Sequence, residues 1–88
     1  MIFNNKFRLI KSQNLSAKAN SCLDSALFKT FTKDSLPVLR LYSWQTSVTF
    51  GLSQNPSDYV TLLKEYKNNF AKRITGGGVL FHGHDISY

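Results

Sequence analysis

Three consecutive glycines, Gly76, Gly77 and Gly78, separate two β-prone runs at residues 71–75 and 79–82. Glycine adopts positive φ angles without strain and has no Cβ, so a bound group can contact the main chain there and accept its N–H hydrogen bonds. Phosphate and carboxylate groups suit such a loop. The same pattern is also typical of a glycine-rich hairpin turn. The sequence therefore predicts either an anion-binding loop or a plain turn with a surface arginine beside it.

Two polar residues just before the glycines favour the anion-binding interpretation. Arg73 carries a planar guanidinium that can hold an oxyanion through two parallel hydrogen bonds, and Thr75 adds a hydroxyl group. The segment is neither a Walker loop nor a Rossmann fingerprint, because no Gly-Lys-Ser/Thr follows the glycines and no G-x-G-x-x-G opens a helix. Any nucleotide held here is therefore bound in a different way.

Periodic apolar residues predict two helices. Residues 17–33 carry apolar side chains at steps of three and four, and the Ser16 hydroxyl can cap the free amides at the helix start. Asn55 followed by Pro56 is a helix-start signal, and a second apolar stripe predicts a helix over residues 56–69.

Six stretches read as strands, at residues 6–11, 38–44, 47–52, 71–75, 79–82 and 85–88. Only Gln45 and Thr46 separate the second stretch from the third, so we expect a β-hairpin there. The order of elements predicts a single α+β domain over residues 1–88, with a mixed, mainly antiparallel sheet covered by helices. Because the sequence ends in a predicted strand that carries Ile86 and Tyr88, we expect the domain to be incomplete.

Composition narrows the class of protein. The 88 residues are 42% hydrophobic and 18% charged, which disfavours disorder. No apolar run approaches the roughly 20 residues that a membrane span needs, and the first residues lack the apolar core of a signal peptide. Cys22 is the single cysteine, which excludes an internal disulfide and fits a reducing compartment. We therefore expect a cytoplasmic protein.

The charge balance favours anionic partners. Eleven basic residues against five acidic ones give a formal net charge of +6, which attracts nucleic acid, nucleotides and acidic protein surfaces alike. The basic residues are spread along the chain, with no Lys/Arg-rich run of roughly five to eight residues. A nucleic-acid-binding arm is therefore disfavoured.

Histidine and cysteine give weak signals. His82 and His84 lie two residues apart and would face the same side of a strand, but two ligands do not complete a zinc site, and the sequence supplies no others nearby. We expect no metal.

Cys22 falls within the apolar periodicity of the first helix, which favours a small buried core thiol over a nucleophile.

Residues 73–82, R-I-T-G-G-G-V-L-F-H, resemble the R-x-[ST]-G-G-G-x-[VL]-x-H signature of lipoate-protein ligases and related octanoyl transferases. Leu39, Arg40 and Trp44 are similar to the family's L-R-x-x-x-W element. Further similarities lie in the expected order, at residues 20–27 for the first-helix motif and at Gly51, Gln54, Asn55 and Pro56 for G-x-x-Q-N-P. The resemblance is to the N-terminal part of the lipoate-protein ligase A family, within the biotin/lipoate protein ligase catalytic domain superfamily.

The resemblance implies a fold, a reaction and partners. Such ligases activate lipoate or octanoate with ATP as an acyl-adenylate and pass the acyl group to a lysine of a carrier protein. The residues implied to line the acyl-nucleotide site are Arg73, Thr75, Gly76, Gly77, Gly78, Val79, Leu80 and Phe81, with His82 beside it. Tyr42, Trp44 and Phe50 are candidates for its apolar wall, or for ordinary hairpin core.

Departures from the family pattern limit what this chain is expected to do alone. The ligase lysine that contacts both carboxylate and phosphate, and the transferase cysteine, lie downstream of residue 88. Lys72 replaces an arginine, and Leu52 stands where many ligases carry one. We therefore expect no catalytic residue in the chain, no activity from it alone, and a separately encoded C-terminal half as a possible partner. The alternatives are a non-catalytic nucleotide- or carrier-binding module, or half of an octanoyl transferase.

Overall fold

The computed structural model describes residues 6–88. Its strands are β1 (Arg8–Leu15), β2 (Val38–Trp44), β3 (Ser47–Phe50), β4 (Phe70–Lys72), β5 (Leu80–His82) and β6 (Ile86–Ser87). Helix α1 spans Ala17–Thr30, and a 3₁₀ turn at Pro56–Tyr59 leads into the short helix α2, Val60–Glu65.

The strands form two three-stranded sheets. In the first, β2 lies between β1, to which it is parallel, and β6, to which it is antiparallel. In the second, β3 lies between the parallel β4 and the antiparallel β5. Both parallel pairs are joined through a crossover that contains a helix, because a tight turn cannot return the chain in the same direction.

This arrangement confirms the α+β class with mixed pairing and corrects two details. Among residues 6–88, two strand pairs are parallel and two antiparallel, so antiparallel pairing does not dominate. The predicted hairpin between β2 and β3 is wrong, because each of these strands belongs to a different sheet. At the corner between them, the amide of Gln45 donates to the Leu15 carbonyl at the end of β1 (2.9 Å).

Helix α1 begins where predicted, whereas the second predicted helix begins at Pro56 as a 3₁₀ turn and becomes α-helical only at Val60. Both helices end earlier than predicted. The Ser16 hydroxyl caps α1 by accepting from the Ala19 amide (3.1 Å), but the helix stops at Thr30. Beyond it, the Thr32 amide donates to the Ser35 hydroxyl (2.9 Å), a local bond that competes with further helix. After α2, Lys67 and Asn68 take left-handed conformations, with φ of 53° and 57°, and turn the chain into β4.

The apolar core is centred on β3. Val48 and Phe50 are fully buried, and the Phe50 ring packs against Tyr59 (centroids 5.1 Å apart) and Phe70 (6.1 Å). Phe50 is therefore a core residue and not part of a cavity wall.

Neither helix found within residues 6–88 is long and apolar enough to cross a membrane.

Candidate functional site

The glycine loop, residues 76–78, is not a hairpin turn. Strands β4 and β5 flank β3 on opposite sides, so the chain between them crosses over the end of β3. It packs directly on Gly51, where an added Cβ would lie 2.0 Å from the Gly77 carbonyl oxygen. The Leu52 amide also donates to the Thr75 carbonyl (2.9 Å). The plain-turn alternative is therefore wrong.

Gln54 fixes the segment on which the loop rests. The side-chain oxygen of Gln54 accepts from the Gly51 backbone amide (2.9 Å), and the backbone amide of Gln54 donates to the Gly51 carbonyl (3.0 Å). Asn55 then caps the 3₁₀ turn by accepting from the Ser57 amide (3.1 Å). The G-x-x-Q-N-P element, residues 51–56, thus holds Gly51, the residue on which the glycine loop packs.

Arg73 holds the loop in shape. Its Nη2 donates to the carbonyls of Gly76 (3.1 Å) and Gly78 (2.7 Å), and its Nη1 donates to the Thr49 hydroxyl (2.8 Å). Burial lowers the pKa of the guanidinium from its ordinary value, but arginine remains charged in proteins. Three of its five N–H donors are used inside the protein, so its principal contacts are with the loop itself.

The loop amides are left available. Within residues 6–88, no hydrogen bond has the amide of Gly76, Gly77 or Gly78 as its donor. All three residues are exposed. Gly77 has a φ of 99°, a backbone conformation that residues with a side chain rarely adopt. A loop with its carbonyls turned toward a cation and its amides unpaired is suited to bind an anion.

His82 is buried beside this arrangement. Its ring stacks on Trp44, with centroids 3.8 Å apart and planes 14° from parallel. Nε2 lies 2.9 Å from the Thr49 hydroxyl, and Nδ1 lies 2.7 Å from an Asp85 carboxylate oxygen. The other Asp85 oxygen accepts from the Gly83 amide (3.0 Å).

Asp85 is held in its charged form. Burial by itself would raise the pKa of this carboxyl, but the hydrogen bonds from His82 and from backbone amides, together with the charge of His82, outweigh burial and lower the pKa below its ordinary value. The carboxylate therefore remains an acceptor for the His82 ring.

A cavity of about 430 Å³ opens next to the loop. Arg73 and Thr75 on one side of the glycines, and Leu80 and His82 on the other, contribute to its wall. Ile74, between Arg73 and Thr75, also lines it, and the remaining wall comes from β2, α1 and the end of the chain, at Ser21, Asp24, Phe28, Tyr42, Trp44, Ser87 and Tyr88. A second, more open cavity of about 670 Å³ lies between α1 and β2 and shares part of this wall.

A polar cluster joins α1 to β2 where the two cavities meet. Arg40 is 5% exposed, forms an ion pair with Asp24 (2.8 Å) and donates to the side-chain oxygen of the fully buried Asn20. The Tyr42 hydroxyl donates to Asp24 (3.1 Å). Burial, followed by the Asp24 charge, raises the pKa of Tyr42, so its hydroxyl stays protonated.

Residues 16–88 match the profile of the lipoyl protein ligase A/B catalytic domain. The chain belongs to this family. Among its relatives is the octanoyltransferase LipM of Bacillus subtilis (strain 168), 31% identical over 86 residues, which cover 93% of this chain and 31% of LipM.

Solved structures of lipoyl protein ligases share the fold. A bipartite lipoate protein ligase from Thermoplasma acidophilum, studied with its E2 lipoyl domain, gives a TM-score of 0.77 at 25% identity, over 92% of this chain and 33% of that one. A lipoate-protein ligase A bound with ATP gives 0.74 at 28% identity, over 89% and 33%. The chain therefore spans about a third of the length of these relatives.

The structure brings together part of the site predicted from the lipoyl ligase resemblance. Arg73, Thr75, Leu80 and His82 line the 430 Å³ cavity, whereas Gly76, Gly77, Gly78 and Val79, between Thr75 and Leu80 in the chain, do not line it. Phe81 is placed differently from expectation. Side chains alternate across a strand, so Phe81 lies on the face of β5 opposite Leu80 and His82, where its ring contacts Tyr66 (centroids 5.7 Å apart).

Two weaker predictions about single residues are corrected. Cys22 is exposed and not part of the core, because α1 buries Ala17 and Asn20 on another side of the helix. His84 is exposed in the turn after β5 and does not share the position of His82. No group of three or more potential metal ligands lies together in the described part of the chain.

Three residues of the candidate site were missed from the sequence. Thr49 connects Arg73 to His82, Asp85 anchors His82, and Asp24 links two elements at the cavity wall. Only Thr49 carried a usable signal, because a polar residue between Val48 and Phe50 must face away from the core that those two enter.

Proposed function

We propose that this chain forms the acyl-nucleotide-binding part of a lipoate-protein ligase. In that reaction ATP activates lipoate or octanoate as an acyl-adenylate, and the acyl group then passes to a lysine of a carrier domain. The observation that carries this proposal is the glycine loop, whose carbonyls bind Arg73 while its amides remain unpaired beside an apolar-walled cavity.

The chemistry of an acyl-adenylate fits these groups. Its phosphate needs N–H donors, which Gly76, Gly77 and Gly78 offer, and the nearby guanidinium supplies a compensating positive charge. Its acyl tail needs an apolar channel, and the cavity of about 430 Å³ with Tyr42 and Trp44 in its wall falls in the usual range for ligand sites.

The relatives support the choice of substrates and partners. One solved ligase was crystallised with ATP, and another is bipartite and was studied with its E2 lipoyl domain. We therefore propose ATP and lipoate or octanoate as substrates, a lipoyl-accepting carrier protein as the acceptor, and a separately encoded second part as a partner.

Turnover is expected to need residues outside this chain. The family resemblance implies a lysine that contacts both the carboxylate and the phosphate, but within residues 6–88 no lysine lines the cavity beside the glycine loop. The 88 residues would then bind the intermediate without forming it.

The activity test is lipoate-dependent exchange of pyrophosphate into ATP. We expect no exchange with the 88-residue chain alone, and exchange when the chain is co-expressed with a polypeptide that supplies the rest of a ligase catalytic domain. Robust exchange by the chain alone would contradict the requirement for an external lysine.

The binding test compares two neighbouring cations. Arg73→Ala and Lys72→Ala each remove one positive charge, but only Arg73 binds the loop carbonyls. We expect Arg73→Ala to weaken AMP binding at least about tenfold, as measured by calorimetry, because a charge-assisted anchor is lost, and Lys72→Ala to weaken it much less. Equal affinities in both variants would remove the proposed site.

Octanoyl transfer is the second candidate, because the LipM relative is 31% identical over 93% of this chain. A transferase moves an acyl group that is already activated, so it needs no ATP. With the completed domain, octanoyl transfer that proceeds without ATP favours this alternative, and ATP dependence favours the ligase. Nucleotide or carrier binding without turnover, even in the completed domain, would instead indicate a non-catalytic module.

A further inference from the structure

Four side chains from three segments form a continuous hydrogen-bonded chain next to the glycine loop. Asp85 lies 2.7 Å from Nδ1 of His82, Nε2 of His82 lies 2.9 Å from the Thr49 hydroxyl, and that hydroxyl lies 2.8 Å from Nη1 of Arg73. Thr49 is fully buried and His82 is 9% exposed. We call this set, Asp85, His82, Thr49 and Arg73, the relay.

The hydrogen positions in the relay follow from the chemistry of its two ends. A guanidinium only donates, so the Thr49 oxygen accepts from Arg73 and its own hydrogen is free to donate to Nε2 of His82. At the other end, the Asp85 carboxylate only accepts, so Nδ1 of His82 carries the hydrogen that it donates to Asp85. In the neutral ring Nε2 is then the unprotonated nitrogen, which accepts from the Thr49 hydroxyl. In this arrangement each of the three contacts along the relay joins one donor to one acceptor.

The orientation of the loop peptides depends on the same arginine. Nη2 of Arg73 binds the carbonyls of Gly76 and Gly78. No peptide in the described chain is cis, and in a trans peptide the N–H points opposite to the C=O. When the Gly76 carbonyl points at Arg73, the Gly77 amide therefore points away from it, toward any anion that the loop receives.

We propose that Thr49 and Asp85 are positioning residues for anion binding by the glycine loop. Asp85 sets the tautomer of His82, His82 orients the Thr49 hydroxyl, and Thr49 holds Arg73 in the position that turns the loop amides outward. None of the three needs to contact the ligand. That the ligand is an adenylate rests on the proposed function, whereas the tautomer and the loop orientation do not.

The first experiment reads the tautomer directly in the 88-residue chain. Long-range ¹H–¹⁵N spectra of ¹⁵N-histidine-labelled protein are recorded in mildly alkaline buffer, where a histidine of ordinary pKa is neutral. We expect His82 as a single tautomer with its hydrogen on Nδ1. The exposed His84 serves as an internal control with the averaged pattern of a free ring. A hydrogen on Nε2 of His82 in the wild type would overturn the proposal.

The second experiment separates the Thr49 hydroxyl from the Thr49 volume. Thr49→Ser keeps the hydroxyl, whereas Thr49→Val keeps the shape and loses it. We expect Thr49→Val to shift the Gly77 amide resonance and weaken AMP binding about tenfold, the effect of losing one buried hydrogen bond. Thr49→Ser should restore both. Equal effects of the two variants, or none from either, would overturn the proposal.

A third variant covers the case in which Thr49→Val does not fold. Asp85 is only partly buried, and Asp85→Ala removes the acceptor for Nδ1 of His82. We expect His82 in this variant to become a tautomer mixture and the Gly77 amide to shift. An unchanged tautomer would overturn the proposal. A further outcome separates the two proposals. If the wild type has the expected tautomer and the variants shift the Gly77 amide resonance, but the wild type does not bind AMP, the relay stands and the adenylate assignment fails.

Discussion

At Gly51 there is no space for a side chain, because an added Cβ would lie 2.0 Å from the carbonyl oxygen of Gly77. The contact is with backbone, which cannot rotate aside as a side chain would. At Gly76, by contrast, an added Cβ would meet nothing within 4 Å. The glycine that most constrains the loop is therefore outside the loop.

Gly51→Ala tests this contact against Gly76→Ala as its matched control. We expect Gly51→Ala to displace the loop, to destabilise the chain by about 1–3 kcal/mol as overpacking does, and to weaken AMP binding. Gly76→Ala should change stability by about 0.5 kcal/mol or less. Urea unfolding and calorimetry measure the two effects, and equal loss in both variants would contradict the contact.

Asp85 gives a stability change with a defined pH direction. Although burial opposes it, hydrogen bonding to His82 and the Gly83 amide lowers the pKa of Asp85 below its ordinary value of 3.8. A carboxyl with a lowered pKa in the folded state stabilises the fold above its ordinary pKa, and this contribution is lost as pH falls through the lowered value.

We therefore expect the stability difference between wild type and Asp85→Asn to be larger at neutral pH and to shrink below about pH 4. Urea unfolding at a series of pH values measures it. Asp58→Asn, which removes an exposed carboxylate outside the relay, serves as the control. A difference that grows on acidification would show that Asp85 is not stabilised as a carboxylate.

Single residues differed in how far the sequence predicted them. The Arg73 and glycine-loop signature was readable because it is contiguous. The direction of the Arg73 side chain was not, because its partners Thr49, Gly76 and Gly78 meet only after β4 and β5 have paired with opposite edges of β3. Asp85 had no signal, because its role depends on the position of His82.

At the scale of elements, Asn69 joins three segments. Its side-chain oxygen accepts from the Ala17 backbone amide at the start of α1 (3.0 Å). Its side-chain nitrogen donates to the side-chain oxygen of Gln45 (3.2 Å) and to the Thr46 carbonyl (3.1 Å). The residue just before β4 thus fixes both the first helix and the corner where the chain passes from one sheet to the other.

Asn69→Ala should destabilise the chain by about 1–2 kcal/mol, because it removes a helix-capping bond and two further hydrogen bonds. The control is Asn55→Ala, which removes two local, exposed hydrogen bonds from Ser57 at the start of the 3₁₀ turn and should cost about 0.5 kcal/mol. Chemical denaturation measures both. A smaller effect at Asn69 than at Asn55 would contradict the linking role.

Elements were predicted better than their pairing. The start of α1 and the start of the 3₁₀ turn that leads into α2 lie where predicted, because the Ser16 and Asn55 caps are local signals. The hairpin between β2 and β3 was predicted from proximity in sequence alone. The competing signal was the order strand, helix, strand on each side of that corner, which favours parallel pairing of β1 with β2 and of β3 with β4.

At the scale of the whole molecule, the apolar surface is large for the size of the core. Among residues 6–88, the buried apolar side chains are Ala17, Trp44, Val48 and Phe50. Large apolar side chains around the cavity and at the adjacent sheet edge are exposed, including Phe28 (75%), Leu80 (50%), Ile86 (79%) and Tyr88 (91%). Such a surface is typical of a binding face that a partner covers.

The same surface predicts how the chain behaves alone and with the rest of a ligase domain. Alone, we expect a low unfolding midpoint and strong binding of the dye ANS, which reports exposed apolar surface. Adding a polypeptide that supplies the rest of a ligase domain should raise the midpoint and release the dye, because complete burial of a side chain such as Ile86 stabilises by about 1.5–3 kcal/mol.

Ile86→Thr should weaken binding of that polypeptide. The control Thr61→Val exchanges one exposed β-branched residue on α2 for another and should not weaken it. A chain that alone unfolds cooperatively at a high midpoint without binding ANS would show that this surface needs no partner.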